Sequence, residues 1–338
     1  MAPRLSGFTR ASALGPITEF MERQGGSVLR VLNDVDLPVA LLEQREMVVP
    51  LREQFRFLER AAKETGDRYF GARLGQVVKS PDLSAFGAWV CSAGTLRQAI
   101  ERAHAGIAAM LQTSTNLDLS EDGDCVRWSI EFVEPETDGR HHNELLGIGY
   151  MMDTVRVYAG AKWCPDVVMT ALPVGEPRAE LEGIVRTNVS HGHATTSIRF
   201  DATLLDMDRP TYGSLPEPSP HGEEPQVPRQ DDEFATIRAV LELAAHEHYP
   251  RIERVAAKLG TTRRSLQRRL AAHGTTFHRL AEETLLRRAE NLLRHDKESV
   301  TEIALSLGYH DPAHFTRAFR RWKGTTPTAY RAALAGPA

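Results

Sequence analysis

"VAAKLGTTRRSLQRRL", Val255 to Leu270, and "IALSLGYHDPAHFTRAF", Ile303 to Phe319, are one pattern written twice, about 48 residues apart. Each copy sets an apolar residue before Ala (Val255-Ala256, Ile303-Ala304) and closes the first half with Leu-Gly (Leu259-Gly260, Leu307-Gly308). A short polar turn follows, then apolar residues four apart among basic ones: Leu266 and Leu270, Phe315 and Phe319. Both copies later reach Gly-Thr-Thr, at Gly274 to Thr276 and Gly324 to Thr326. A repeated physical unit is the simplest explanation.

In the first copy Ile252, Val255, Ala256 and Leu259 fall at i, i+3, i+4 and i+7, one buried stripe of a helix. The next helix buries Leu266 and Leu270, so Arg264 and Arg268 point the opposite way, with Arg263 and Gln267 on the flank. In the second copy Val300, Ile303, Ala304 and Leu307 support a helix anchored by Phe315, Phe319 and Trp322. Opposite those anchors project Ala313, Arg317 and Arg321, flanked by His314 and Arg320. Gly308 takes the turn and is expected at positive φ, where a β-branched residue is poorly tolerated.

Two helices meeting at a glycine turn form a helix-turn-helix unit, whose second helix enters the DNA major groove. Arginine matches guanine N7 and O6 with its paired donors, glutamine suits adenine, and an apolar atom meets the thymine methyl. A single amphipathic hairpin with exposed arginines is commonly just a solvated surface, but duplication of one design favours DNA. The linking helix, expected over 276–294, spans about 28 Å at about 1.5 Å per residue. That is somewhat less than the roughly 34 Å between successive major grooves on one face. One chain would therefore read two adjacent grooves, with some bending of the DNA.

The chain totals agree. Its 338 residues suffice for two domains, and 41% apolar with 25% charged describes an ordinary globular protein. From Phe234 to Ala338 there are 18 Lys+Arg against 10 Asp+Glu, a net +8 that leaves −12 for the remainder of a chain at −4. A compact basic module beside an acidic one points to polyanion binding by the first. Cys91, Cys125 and Cys164 lie far apart without a CxxC pair, which indicates neither a disulfide framework nor a zinc module. No apolar run is long enough to span a bilayer, and no signal-peptide core follows the opening residues. The expected location is cytoplasmic.

Residues 209–233 hold six prolines and few large apolar side chains, the composition of an extended, semi-rigid connector. The expected division is residues 1–208, connector 209–233 and residues 234–338. After the connector no strand pattern occurs. Helices are expected over 234–247, 251–259, 262–272, 276–294, 300–307, 312–323 and 327–334. Ser299 with Glu302 reads as a capping box, and Asp311-Pro312 and Thr326-Pro327 read as helix starts.

Before the connector the pattern is mixed. A helix from about Pro50 places Leu51, Phe55, Leu58 and Ala62 on one side, and "TLRQAIERAHAGIAAMLQ" (Thr95 to Gln112) reads as a second. Leu117 and Leu119, then Val126, Trp128, Ile130 and Phe132, alternate around a Glu-Asp-Gly-Asp turn, which predicts a β-hairpin. A helix over 140–161 and strands at "VVMTALP" and "TTSIRF" complete an α+β domain.

The segment from about 234 to 334 resembles the AraC/XylS-type DNA-binding domain of bacterial transcriptional regulators, most closely through "SVTEIALSLGYHDPAHFTRAFRRWKGTTPTAYR" (Ser299 to Arg331). The resemblance implies an all-α domain with two helix-turn-helix units joined by a long helix. Its base-contacting places fall on Arg264, Gln267 and Arg268 in the first recognition helix and on Ala313, His314 and Arg317 in the second. Ala313 departs from the polar residue often found there, so a methyl contact replaces hydrogen-bond readout. Arg263, Arg320, Arg321 and Lys323 are the expected phosphate contacts. Ala304, Gly308, Phe315, Phe319, Pro327 and Tyr330 match the scaffold pattern. Less sharply, "LLEQREMVVPLREQFRFLERAAKETGDRYFGARLGQ" (Leu41 to Gln76), "GRHHNELL" (Gly139 to Leu146) and the spacing to "WCPDVVMTALP" resemble the arabinose-binding-like sensor domain of regulators of the OruR kind. This implies a small-molecule effector of unknown identity, a homodimer, promoter double-stranded DNA and RNA polymerase as partners, and activation as the usual outcome.

Other chemistry is weaker. His141 to Glu144, "HHNE", offers two imidazoles and a carboxylate, but neighbours on a helix diverge by about 100° and do not readily share one ion, so no metal is expected. His246 and His248 read as surface residues. Trp89, Trp128, Tyr150 and Trp163 fit core packing better than a ligand pocket. No P-loop, GxGxxG after a strand, HExxH or GxSxG occurs, so neither catalysis nor a cofactor is indicated. The competing readings are a DNA-repair alkyl-acceptor protein, which needs an activated thiolate, and an architectural DNA binder without a sensor.

Overall fold

The computed structural model describes residues 5–134, 137–210, 227–229, 231–246, 249–295 and 298–334. It divides into two compact units, Ser6–Gln230 and one running from Asp231 onward.

The first unit opens with β1 (Phe8–Arg10), α1 (Ile17–Arg23), α2 (Val28–Asp34) and β2 (Val48–Pro50), where β1 and β2 pair antiparallel. The helix expected from Pro50 is α3 (Leu51–Thr65), ended by Gly66 at φ +67°. α4 (Phe70–Gly75), α5 (Ala85–Cys91) and α6 (Leu96–Gly106) follow. The helix expected through Gln112 changes character at Ile107: residues Ile107–Leu111 form a π-helical turn, and Thr113 then donates its backbone N–H to Phe8 as the chain leaves helix for sheet.

The expected hairpin is β3 (Thr115–Asp122) against β4 (Cys125–Phe132), with Leu119 opposite Trp128 and Leu117 opposite Ile130. Val126, Trp128, Ile130 and Phe132 are all buried, as period-2 alternation requires. α7 (Arg140–Ala159) packs on the sheet, followed by β5 (Val167–Met169), α8 (Ala179–Val185), β6 (Asn188–Ser190) and β7 (Thr196–Asp201). The sheet order is β3-β4-β7-β5-β6, antiparallel except for the β5–β6 pair. The α+β class expected of this half is what the structure has.

This unit continues past residue 208, where the connector was expected to begin. The Arg209 N–H donates to the Gly94 carbonyl at 2.8 Å, and the Val227 N–H donates to the Ala109 carbonyl at 3.2 Å. Val227 is itself 1% exposed, so its apolar side chain packs into the first unit although it belongs to a stretch that composition marks as a spacer. Residues 211–226 of the expected connector lie outside the described residues.

The second unit is helical throughout its described residues: α9 (Glu233–Ala244), α10 (Ile252–Lys258), α11 (Arg263–Ala272), α12 (Phe277–His295), α13 (Val300–Ser306), α14 (Pro312–Lys323) and α15 (Pro327–Leu334). Ser299 and Glu302 form the reciprocal capping box, with bonds of 3.2 and 2.7 Å. Leu285, Ala289 and Leu293 of α12 meet Ile303, Ala304, Leu307, Phe315 and Phe319 in one core. Among the described residues no helix is long and apolar enough to cross a membrane.

Candidate nucleic-acid interface

The two repeated phrases fold as two helix–turn–helix corners, α10–α11 and α13–α14. Val255, Ala256 and Leu259 are buried under Leu266 and Leu270 in the first, and Ile303, Ala304 and Leu307 under Phe315 and Phe319 in the second. Ile252 and Val300, expected in the same stripes, are half-buried because each sits at the first position of its helix. The turns demand left-handed backbone: Gly260 has φ +66° and Gly308 φ +80°. A β-branched side chain at Gly308 would be strained by that angle alone.

Each recognition helix is locked at its start. The Thr262 hydroxyl accepts the Ser265 N–H at 3.2 Å, and the Asp311 carboxylate accepts the Ala313 N–H at 2.8 Å ahead of Pro312. α11 is further pinned to α9 by an ion pair between Arg269 and Glu233 and by the Phe234 ring against His273 at 5.2 Å. Around α14 the rings of Tyr309, Phe315, Phe319 and, from α15, Tyr330 form a chain of edge and tilted contacts 5.4 to 5.8 Å apart. Sequence reasoning did not anticipate the Arg269 clamp, whose partner lies 36 positions away.

What these helices hold outward falls into two groups. Arg264, Gln267 and Arg268 on α11, and Ala313, His314 and Arg317 on α14, are exposed. Arg264, Gln267, Arg268 and Arg317 have no side-chain hydrogen bond or ion pair among the described residues. His314 lies 3.6 Å from Asp311. The expected phosphate contacts are mostly engaged: Arg263 with Glu253 at 2.9 Å, Arg321 with Glu282, and Lys323 with Glu290 at 2.6 Å and over the Tyr330 ring. Arg320 is exposed and has no such partner among the described residues. These surface pairs are worth about 0–1 kcal/mol each, so a phosphate can displace the carboxylates.

The remaining side chains singled out in the sequence sort differently. His141 and His142 do not diverge as helix geometry suggested: their ring centroids are 4.0 Å apart, because His142 turns inward to take the Gly71 N–H and face Glu59. Glu59, His141 and His142 thus place one donor atom each within 4.8 Å of one another. Asn143 bonds Gln54, and Glu144 receives Arg140 and Thr196. Burial, with His141 adding to it, drives the His142 pKa from 6.5 down to about 3. The folded state therefore holds this imidazole neutral, while the unfolded chain takes up a proton below about pH 6.5. Stability of the first unit is expected to decline as pH falls from 6.5 toward 3, and His142→Gln to flatten that decline; denaturation midpoints against pH measure both.

His246 is half-buried instead of lying on the surface, because the end of α9 packs beside Arg288 of α12; burial lowers its pKa to about 4. His248 lies outside the described residues. Trp163 meets Phe200 edge to face and Trp89 lies under Arg102, whereas Trp128 and Tyr150 border a cavity. Cys91 is fully buried, and burial followed by the nearby Asp153 pushes its thiol up to about 12, the opposite of an activated thiolate.

Residues 25–208 match a family described as the N-terminal arabinose-binding domain of AraC transcription regulator, and residues 255–333 match a helix-turn-helix domain. The "Ornithine utilization regulator" of Pseudomonas aeruginosa is 38% identical over 104 residues, 31% of this chain and 30% of that protein's length. The HTH-type transcriptional regulator VirS of Mycobacterium tuberculosis is 26% identical over 339 residues, covering 97% of each chain. The crystal structure of the transcriptional regulator CdpR from Pseudomonas aeruginosa is 24% identical, over 78% of this chain and 86% of that one, with a TM-score of 0.34.

Proposed function

The chain belongs to the AraC family of transcription regulators, and from that premise we propose that it is an effector-responsive activator whose two recognition helices read adjacent major grooves of promoter DNA. The carrying observation is the contrast on the recognition helices. Arg264, Gln267, Arg268 and Arg317 are exposed and have no side-chain partner among the described residues, whereas the helices beneath them are capped, ringed and clamped. Rigid presentation of unpaired bidentate donors is what base-edge recognition requires, since a loosely held side chain gives up entropy on binding. In this reading Ala313 meets a thymine methyl and His314 a base edge, while Arg263, Arg320, Arg321 and Lys323 neutralise phosphates.

The first unit binds a small molecule and pairs two copies of the chain, so that two protomers occupy two half-sites. An effector acts by favouring the arrangement of the dimer that fits them, through unequal affinity for two states. Contact with RNA polymerase then turns occupancy into activation, in the cytoplasm. The location of Cys91 weighs against the alkyl-acceptor alternative.

The deciding experiment is selection of fragments from the source genome by the purified protein, followed by transcription in vitro from the fragments recovered. A recurring motif about two helical turns long, with transcription raised by the protein, supports the reading. Recovery without a shared motif would leave an architectural binder, and lowered transcription would make the protein a repressor.

A phosphate role is separable from a base role. Arg320→Ala and Lys323→Ala are expected to weaken selected and random DNA alike and to lower the slope of log affinity against log salt by about 1 each. Titrations at several salt concentrations check this, and an unchanged slope would remove the residue from the phosphate set.

A further inference from the structure

Between the inner face of the β3–β4 hairpin and helices α3, α5, α6 and α7 lies a cavity of about 90 Å³. Its walls are apolar, with Phe86, Val90, Ile107, Trp128, Ile130 and Met151 the largest part, and no Asp, Glu, Lys, Arg or His lines it. A charged ligand would lose its hydration there with no counter-ion to meet it. An uncharged one would not.

The cavity is not featureless. Gln54 and Asn143 line it and bond to each other, Gln54 Nε2 donating to Asn143 Oδ1 at 2.7 Å. That bond leaves the Gln54 carbonyl oxygen and the Asn143 NH2 group without a partner among the described residues, an acceptor and a donor side by side. Buried polar groups left unmet are costly, and a hydroxyl, carbonyl or amide on a ligand would meet them.

One wall faces two ways. Ile107 and Leu111, the ends of the π-helical turn, line the cavity, while the carbonyl of Ala109 between them accepts the N–H of Val227 in the connector. The next carbonyl, of Met110, takes the Nε–H of the buried Arg10. π turns of this kind recur at functional sites. Moving this turn would alter the seat of Val227.

We propose that this cavity is the effector site, that it takes an uncharged, mainly apolar small molecule bearing a hydrogen-bonding group, and that its occupancy reaches the connector through the turn at Ile107–Leu111. This rests on the effector-responsive reading above and names the ligand class and the route.

The test uses the full chain and the uncharged fluorophore 1-N-phenylnaphthylamine, displaced by decan-1-ol or by decanoate at equal concentration. The wild type is expected to bind the fluorophore, with the alcohol displacing it and the carboxylate not. Two independent substitutions that fill the cavity, Ala103→Leu and Gly147→Leu, are expected to weaken it by about tenfold or more while melting curves confirm folding. Val227→Asn, which does not border the cavity, is expected to change fluorophore affinity by about fivefold or more, because coupling between two sites is reciprocal. Absence of binding by the wild type, or equal displacement by decanoate, overturns the site or its ligand class. Unchanged affinity in Val227→Asn overturns the route. Motif selection by the protein remains a separate readout, so the regulator reading survives or fails on its own experiment.

Discussion

Replacing Arg264 and Arg317 together by alanine is expected to weaken binding to the selected DNA motif by about 2–6 kcal/mol, the sum of about 1–3 for each bidentate base contact. Additivity holds because the two side chains stand on different corners, α11 and α14, and share no partner. Neither makes an intramolecular bond among the described residues, so nothing in the fold is given up, and the melting temperature should stay with the wild type. On random DNA the same variant should lose much less, since base-edge contacts contribute little without the matching base. Each single variant should also relax preference at one base position. Equal losses on selected and random DNA would show that these arginines contact phosphates, and the groove assignment would fail with them.

The second unit was legible in the sequence almost to the residue because its information is local. Helix ends are written by Ser299 with Glu302, by Asp311 before Pro312 and by the glycines at 260 and 308, and the stripes between them have one period. The exposed side chains of α11 and α14 followed from the buried ones by subtraction, which works on an isolated helix face. What subtraction could not give is which cations are already engaged: Glu253, Glu282 and Glu290 reach Arg263, Arg321 and Lys323 from other helices. The first unit was harder for the same reason. β1 and β2 are three residues each and exist because they pair across 38 positions of chain, and Arg10 is buried only because Glu46 and the Met110 carbonyl converge on it. The cavity depends on seven separate segments, none with a local signal, so Gln54 and Asn143 could not have been joined from the sequence.

Phe319→Ala is expected to unfold the second unit's core without touching DNA. Phe319 is 0% exposed, packs edge-on against Phe315 and Tyr330, and sits where α12, α13 and α14 converge. Deleting a buried phenyl ring costs about 3–5 kcal/mol, the lost transfer energy plus the cavity left behind. A domain stable by about 5–15 kcal/mol loses a large fraction of its margin to one such change. Urea denaturation followed through Trp322, the one tryptophan of the second unit, would report it separately from Trp89, Trp128 and Trp163 if those three are replaced by phenylalanine in the same background. Leu305→Ala is the control: this side chain is 56% exposed on α13, and its loss should stay within about 0.5 kcal/mol. The distinction from the arginine variant lies in rescue. DNA binds only the folded unit, so excess selected DNA should raise the denaturation midpoint of Phe319→Ala by mass action, and affinity corrected for the folded fraction should match the wild type. In Arg264→Ala/Arg317→Ala the midpoint is normal without DNA and fails to rise with it. If Phe319→Ala keeps a wild-type midpoint, the ring is not holding the second corner together, and the rigid presentation of Arg317 has to come from elsewhere.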